Sequence, residues 1–415
     1  MTAELDEARR IIHDNDVARL RSLIAEHPAL LSAQEDGGVL ALATDAYGDV
    51  FDPQREKDFT RPDCAALLLD AGAIVTRAVL QGMLDSRARG LLAMFNSKGR
   101  LPRTLPLLAA LGDVDGVRAA LATGLDQAAI SEAFLIAVAF EHRAIAAMLL
   151  ERAIEIDADL HRHVVEIGAD AFITSLGENR PHYFSRRVAP WDLYCRQQLH
   201  RALHDDDREA FVRGLDRAPW LLGEATVEFQ AHLVEQAAFH GRDACIAALW
   251  DRDPALLHQQ PPPATKAFEH AMTYAKTHVI PQLTRLWPFP DDVPHRAGMG
   301  DLRRVTELLG AAAVHQPTLD TALAYAVINH HFAVADLLLE RGADINTDWN
   351  SHEPASILHH LVFEDDYAAM QYLIDRGIDP SITDYRWHST AEGWARHGKN
   401  DPAMADWLRS RLYNK

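Results

Sequence analysis

Short blocks of apolar and polar residues follow one another along the whole chain, and within a block the apolar residues recur every three or four positions. Apolar residues at this spacing share one face of an α-helix, and an aspartate just before such a run is a typical N-cap. The strongest blocks are DVARLRSLI from Asp16, DVDGVRAAL from Asp113, DREAFVRGL from Asp207 and DLRRVTELL from Asp301. Each of them predicts a short amphipathic helix.

The same block returns in weaker form, so the chain contains an internal repeat. Weaker copies begin at Arg61, Arg87, His142, Gly168, Arg242 and His278, and three more at His331, Asp366 and Asn400. If each block is the second helix of a pair, the chain holds about thirteen pairs. A helix pair this small cannot bury its own apolar face, so stacked neighbours must complete the core. We expect Leu338 and Leu373 in the layers between repeats, with Leu20, Leu23, Ile24, Val117, Ala120 and Leu121 in equivalent places.

The clearest repeat begins at Thr321 with TALAYAV and continues through FAVADLLLERGADIN to Asn346. Further units begin at Ser356 with SILHHL and at Thr390 with TAEGWA, at spacings of 35 and 34 residues. This pattern resembles the ankyrin repeat, whose period is about 33 residues and whose first helix carries the motif T-P-L-H-x-A. The resemblance is specific from about Thr321 to Leu408 and rests on periodicity elsewhere.

The predicted fold class is therefore all-α, an ankyrin-type helical repeat solenoid of about thirteen helix pairs, several of them degenerate, with short hairpin tips. The predicted organisation is degenerate repeats over 1–179, an inserted loop or joint over 180–198, middle repeats over 199–310, and well-matched repeats with a cap over 311–415. Three segments look like insertions, namely Phe51 to Thr60, Arg180 to Asp192 and Gln259 to Pro263. Loops longer than their neighbours are places where a repeat protein can carry function.

The resemblance implies a scaffold that binds a protein partner on its concave face, which hairpin tips and first helices form. The corresponding tip residues are Asp348, Trp349, Asn350 and His352 in one unit, and Asp384, Tyr385, Arg386, Trp387 and His388 in the next. Aromatic, Arg and His side chains combine an apolar body with a polar group, as binding surfaces do. The alternative is that these tip residues only stabilise neighbouring hairpins.

A second cluster lies in the middle insertion, where Tyr183, Phe184, Arg186, Arg187 and Trp191 form a basic and aromatic group in an acidic protein. Trp, Tyr and Arg are enriched in binding hot spots, so Tyr183, Arg186 and Trp191 are further candidates for partner binding. The structural alternative is that the aromatic residues tuck under the loop and cover an imperfect joint. The competing function is a small-molecule-binding protein or enzyme, with a pocket at this joint lined by His182, Tyr183, Trp191 and Tyr194.

Motifs for catalysis, cofactors or metals are not recognisable in the sequence, so we expect no enzyme activity, no cofactor and no metal site. The chain has 22 histidines, and His200 and His204 stand one helical turn apart as a metal pair could. The acidic run that follows them, Asp205 to Asp207, fits a helix N-cap better than a third ligand. His359 and His331 occupy histidine positions of the ankyrin motif, which implies structural roles.

Charge and cysteine content narrow the possible partners and the compartment. The formal net charge of −19 disfavours nucleic acid and would steer a basic partner surface toward the chain. The three widely spaced cysteines suit a reducing compartment, and no apolar run approaches the roughly 20 residues that span a bilayer. We therefore expect a cytoplasmic protein that does not enter the membrane. Its charged ends, ELDEARR and RSRLYNK, look like caps and favour a monomer.

Overall fold

Helices make up the regular structure of this protein. The computed structural model describes residues 2–32, 37–46, 48–178, 188–255, 266–349, 355–385 and 387–412. Within these ranges the chain forms α-helices and a few short 3-10 or π turns, and β pairing is limited to two isolated bridges, Trp349 with Ala355 and Thr383 with Thr390. Contacts between residues divide the chain into two units, Met1–Gln197 and Gln198–Lys415. The predicted division into four segments stays a prediction.

The described residues of the first unit form six helix pairs and one additional helix. Its helices are α1 (Thr2–His13), α2 (Val17–Glu26), α3 (Gly38–Thr44), α4 (Pro53–Phe59), α5 (Pro62–Asp70), α6 (Arg77–Asp85), α7 (Arg89–Ser97), α8 (Leu105–Leu111), α9 (Val114–Leu121), α10 (Gln127–Ala139), α11 (Arg143–Ile156), α12 (Ala158–Ile167) and α13 (Ala169–Glu178). Consecutive helices pair with each other, except that α3 pairs with α5 and α4 stands between them.

Seven pairs follow, beginning with α14, which contains the division between the units. These helices are α14 (Pro190–His204), α15 (Arg208–Arg217), α16 (Val227–His240), α17 (Asp243–Trp250), α18 (Ala267–Thr273), α19 (Ile280–Leu286), α20 (Val293–Gly298), α21 (Leu302–Ala311), α22 (Gln316–Ile328), α23 (Phe332–Glu340), α24 (Ile357–Phe363), α25 (Tyr367–Asp375), α26 (Ala391–Gly393) and α27 (Pro402–Leu412). A π turn over Trp394–Gly398 extends α26.

The prediction of an all-α helical repeat with thirteen pairs is confirmed. Every block that the periodicity marked corresponds to the second helix of a pair, from α2 to α27. The aspartates of the four strongest blocks are N-caps, as predicted. Asp16, Asp113, Asp207 and Asp301 each accept a hydrogen bond from the backbone N–H three residues further on, at 3.0, 2.8, 2.8 and 3.0 Å. Each bond satisfies one of the amide groups that an open helix end leaves unpaired.

Neighbouring repeats are joined by a hydrogen bond from the start of one second helix to the end of the preceding first helix. His142 Nε2 lies 3.0 Å from the Ala110 carbonyl, and Arg242 Nε donates to the Leu203 carbonyl at 2.9 Å. The last carbonyls of a helix have no partner within that helix. The side chain of the next repeat therefore supplies the missing donor.

Large apolar side chains between the repeats form the core. Leu338 and Leu373 are completely buried, as predicted, and Leu20, Leu23, Ile24 and Val117 are buried too. Ala120 and Leu121 are only partly buried, and Ala120 lines an open groove beside α8. The periodicity identified the inward face of α9 but not the groove at its end.

The insertion at Phe51 to Thr60 is helical rather than a loop. Asp52 caps α4 by accepting from the backbone N–H groups of Gln54 and Arg55. Glu56 is 5% exposed, and its carboxylate accepts from the backbone N–H groups of Gly90 and Leu91 at 2.8 and 2.6 Å. This carboxylate meets the N-terminus of α7, where the helix dipole favours negative charge. The insertion therefore supports a neighbouring repeat.

Candidate binding site

The two predicted tips lie in the second unit, and each is closed by an isolated antiparallel bridge. One bridge joins Trp349 to Ala355 and the other joins Thr383 to Thr390. Asp348, Tyr385, Trp387 and His388 are exposed, whereas Trp349 is partly buried. Asn350, His352 and Arg386 lie outside the described residues. The same holds for His182, Tyr183, Phe184, Arg186 and Arg187 of the predicted central cluster.

Trp349 is anchored against the core of the second unit. Its ring packs edge-to-face on Tyr325, with centroids 5.7 Å apart, and it contacts the apolar cluster between the repeats. Its indole Nε1 is buried and has no hydrogen-bond partner among the described residues. Trp349 therefore forms a fixed wall beneath the tip surface.

Asp384 organises the second tip. Its side chain is 1% exposed, and its carboxylate accepts from the backbone N–H groups of Trp387 and Ser389 at 2.6 and 3.0 Å. The indole Nε1 of Trp394 donates to the same carboxylate at 2.8 Å. Charge-assisted hydrogen bonds are stronger than neutral ones, so these three bonds fix the tip backbone and one indole ring together.

A cavity of about 350 Å³ opens between the two tips. Tip residues, α24 and the C-terminal end of α18 enclose it. Its lining residues are Tyr274, Trp349, Ala355, Ser356, His359, His360, Phe363, Glu364, Trp387 and Trp394. Three of its rings meet Trp394 nearly at right angles: His359, Phe363 and Trp387 lie at 80°, 72° and 75° to the indole plane. The aromatic rings that line the cavity therefore lie in different planes.

The two histidines of the cavity are held by hydrogen bonds to neighbouring segments. His359 Nδ1 lies 2.8 Å from the Ser356 hydroxyl, and its Nε2 lies 3.0 Å from the Ser389 carbonyl in the next tip. Burial lowers the pKa of His359, although the Ser389 carbonyl and Asp384 act in the other direction. His360 Nε2 reaches the Thr273 carbonyl at 2.8 Å. His359 thus takes the structural role that its motif position implied.

Among the described residues that line the cavity, Glu364 is the one with a carboxylate side chain. Loss of hydration raises the pKa of this carboxyl group, and the charges of Asp365 and Asp366 raise it further, while Lys276 and Lys399 lower it. Lys399 is itself paired with Asp365 at 2.6 Å and donates to the Phe363 carbonyl at 3.0 Å. Asp365 and Lys399 thus form an ion pair next to Glu364, and Asp366 and Lys276 are the further charges that act on its carboxyl group.

Large aromatic side chains at the cavity are open to solvent. Trp387 is 58% exposed and Phe363 is 49% exposed, and Tyr385 beside them is 70% exposed. Most exposed apolar side chains stand singly, but here two large ones line one cavity and Tyr385 is two residues from one of them in sequence. Such a group is typical of an interaction surface.

Trp191 occupies a buried stack in the first unit. It is 9% exposed and lies between the ring of His163, at a centroid distance of 3.7 Å, and the ring of Tyr194, at 5.2 Å. These contacts agree with the structural alternative for this residue. They leave little of its surface for a partner.

His200 and His204 belong to the same helix face, as their spacing indicated. His200 contacts His232 with centroids 5.0 Å apart, and His204 is exposed and lies 2.9 Å from a carboxylate oxygen of Asp205. Over the part of the chain that the structure describes, no group of three His, Cys, Asp or Glu residues has the arrangement of a metal site.

Over the same part, no helix combines the length and apolar character that crossing a bilayer requires.

Comparison with known families agrees with this repeat architecture. Residues 295–384 match the family model of ankyrin repeats in three copies. This range begins before Thr321 and contains Trp349 and Ala355, the two residues of the first bridge. The chain therefore contains ankyrin repeats over these residues. Ankyrin repeats in general support a protein-interaction scaffold. The curated proteins include none that matches the chain.

The residues of the two tips were predicted from the sequence, but the cavity between the tips was not. Trp349 and Trp387 were candidates, whereas Tyr274, Phe363, Glu364 and Trp394 were not. Tyr274 is 75 residues before Trp349 in the chain, so only the stacking of α18 beside α24 brings it to the site. A usable signal was present in the third unit, where Trp394 falls inside the TAEGWA segment that aligns with SILHHL.

Proposed function

We propose that this protein is an ankyrin-repeat scaffold without enzymatic activity that holds a protein partner on the concave face of its C-terminal repeats. The single observation that supports this proposal most is the exposed aromatic group, Tyr385, Trp387 and Phe363, beside a cavity with rigid walls. Rigid aromatic side chains next to a preformed pocket are the residues from which binding hot spots are built. The partner would occupy the tips and α24.

Charge supports a partner with a basic surface. The chain has a net charge of −19, and the carboxylate residue Glu364 lines the cavity. Opposite charges steer two proteins together and raise the association rate more than the affinity. We therefore expect binding to weaken as ionic strength increases.

A capture experiment with matched variants tests the proposal. Immobilised full-length protein is compared with Tyr385→Ala/Trp387→Ala and with Trp220→Ala, which removes an aromatic residue of the same unit that is 43% exposed. Proteins held through the tips are expected on the wild type and on Trp220→Ala, and strongly reduced on the double variant. Equal capture by all three would contradict the proposed surface. Circular dichroism of each variant checks that the repeats stay folded.

A further inference from the structure

The cavity between the tips has the composition of a site for an organic cation. Five of its lining residues are aromatic carbocycles or indoles, namely Tyr274, Trp349, Phe363, Trp387 and Trp394. The faces of such rings carry negative potential and attract ammonium groups, most strongly when the group is alkylated and loses little hydration. Residues with such rings make up half of the ten described residues that line the cavity.

Contacts within the protein hold two of the five rings in place before any ligand binds. Trp394 is fixed by its hydrogen bond to Asp384, and the backbone of Trp387 is fixed by the same carboxylate. Trp349 is held by its contact with Tyr325. Binding would therefore order few side chains, and preorganisation of this kind preserves affinity.

The charges around the cavity also suit a cation. Glu364 lines the cavity, and Asp365 and Asp366 follow it in sequence. His359 is buried in its neutral form near pH 7, because burial lowers its pKa, so it adds no positive charge. Lys399 and Asp365 neutralise each other in an ion pair, so Asp366 and Lys276 are the other charges that act on Glu364. A cation that enters the cavity thus meets a carboxylate that has lost part of its hydration.

We propose that this aromatic cavity recognises the alkylammonium group of a lysine side chain on the partner, with Trp387 and Trp394 as walls and Glu364 as the counter-charge. This assignment rests on the proposed function, because it names the chemical group that the tip surface recognises. Methylation of the lysine would strengthen binding, because each methyl group adds apolar contact and lowers the cost of removing water while the charge remains.

The test uses the full-length protein and three forms of one short peptide, which carry a single lysine, trimethyllysine or the uncharged carbon isostere of trimethyllysine. Choline serves as a fourth probe. Dissociation constants are measured by calorimetry and by tryptophan fluorescence. The trimethyllysine peptide is expected to bind about fivefold or more tighter than the isostere, which has the same shape without the charge.

Variants identify the site of binding. Trp387→Ala and Glu364→Gln change exposed side chains, and each is expected to weaken the trimethyllysine peptide about fivefold or more. Trp220→Ala is expected to bind like the wild type. Equal affinity for the isostere, or undiminished binding by both cavity variants, would overturn the proposal. Binding of choline without either lysine peptide would overturn the assignment to a lysine side chain.

The outcome is distinguishable from that of the capture experiment. If the lysine peptides do not bind while Tyr385→Ala/Trp387→Ala still loses a captured protein, the cation site is wrong and the scaffold proposal stands. If the trimethyllysine peptide binds as described but capture is equal for all variants, the cation site stands and the protein-binding surface is wrong.

Discussion

Single residues at the turns between helices decide how closely neighbouring repeats approach. Gly300 precedes α21 with a φ of 71°, and a β-carbon built on it would lie 2.5 Å from Nδ1 of His331 in the next repeat. The backbone conformation therefore favours glycine at this position, and the close contact leaves no room for a β-carbon. Glycines before α9 and α17 approach His142 and His278 in the same way.

Replacement of Gly300 is expected to destabilise the protein, and Gly310 offers a matched control. Gly300→Ala strains the backbone and displaces His331, so we expect a loss of about 1 to 3 kcal/mol in the free energy of unfolding. Gly310 lies within α21, and a β-carbon there would meet no neighbouring atom. Gly310→Ala should increase stability by about 0.5 to 1 kcal/mol, because alanine favours helices. Urea denaturation measures both, and equal effects of the two substitutions would contradict this explanation.

Helices and repeats are the scale at which sequence and structure agree best. The second helices were predictable because their signals are local: an aspartate such as Asp301 caps the helix, and the apolar spacing after it marks the buried face. α4 was missed because its sequence, PQREKDF, is short and polar, and one of its main contacts is made by Glu56 with α7. The cavity was missed for a related reason. Its residues come from four repeats, and a helical pattern within one repeat does not show which side chains from different repeats meet.

The role of Glu56 makes the inserted helix testable. Glu56→Ala removes the acceptor for two backbone N–H groups at the N-terminus of α7, and that of Leu91 is left buried without this partner. Loss of such charge-assisted bonds is expected to cost about 1.5 to 3 kcal/mol in the free energy of unfolding. The neighbouring exposed residue provides the control, since Lys57→Ala should change stability by less than about 0.5 kcal/mol. If both variants unfold at the same urea concentration as the wild type, the insertion does not support α7.

At the scale of the whole molecule, several partly buried histidines make stability depend on pH. Burial lowers the pKa of His232, His240, His331 and His359. For His240, the charges of His204, Arg242 and Lys276 lower it further. A histidine in the unfolded chain has a pKa of about 6.5. As pH falls below that value, the unfolded state takes up protons first, so the folded state loses stability.

We therefore expect the free energy of unfolding to fall as the pH is lowered from 7 to 5.5, a range above the ordinary titration of Asp and Glu. His240→Gln removes one of the responsible groups, and the dependence on pH should be weaker in this variant. Urea denaturation at several pH values measures both. Constant stability across this range, or an unchanged dependence in His240→Gln, would contradict the assignment.

Binding of a protein partner at the tips of the C-terminal repeats is the property on which the proposed function depends. Photo-crosslinking tests it most directly, with a benzophenone amino acid placed at Tyr385 in one sample of the full-length protein and at Trp220 in another. After irradiation in a lysate of the native cells, the sample labelled at position 385 is expected to form a covalent product with one protein, identified by mass spectrometry. The sample labelled at position 220 is expected to lack that product. The same products from both positions, or none from position 385, would contradict the account.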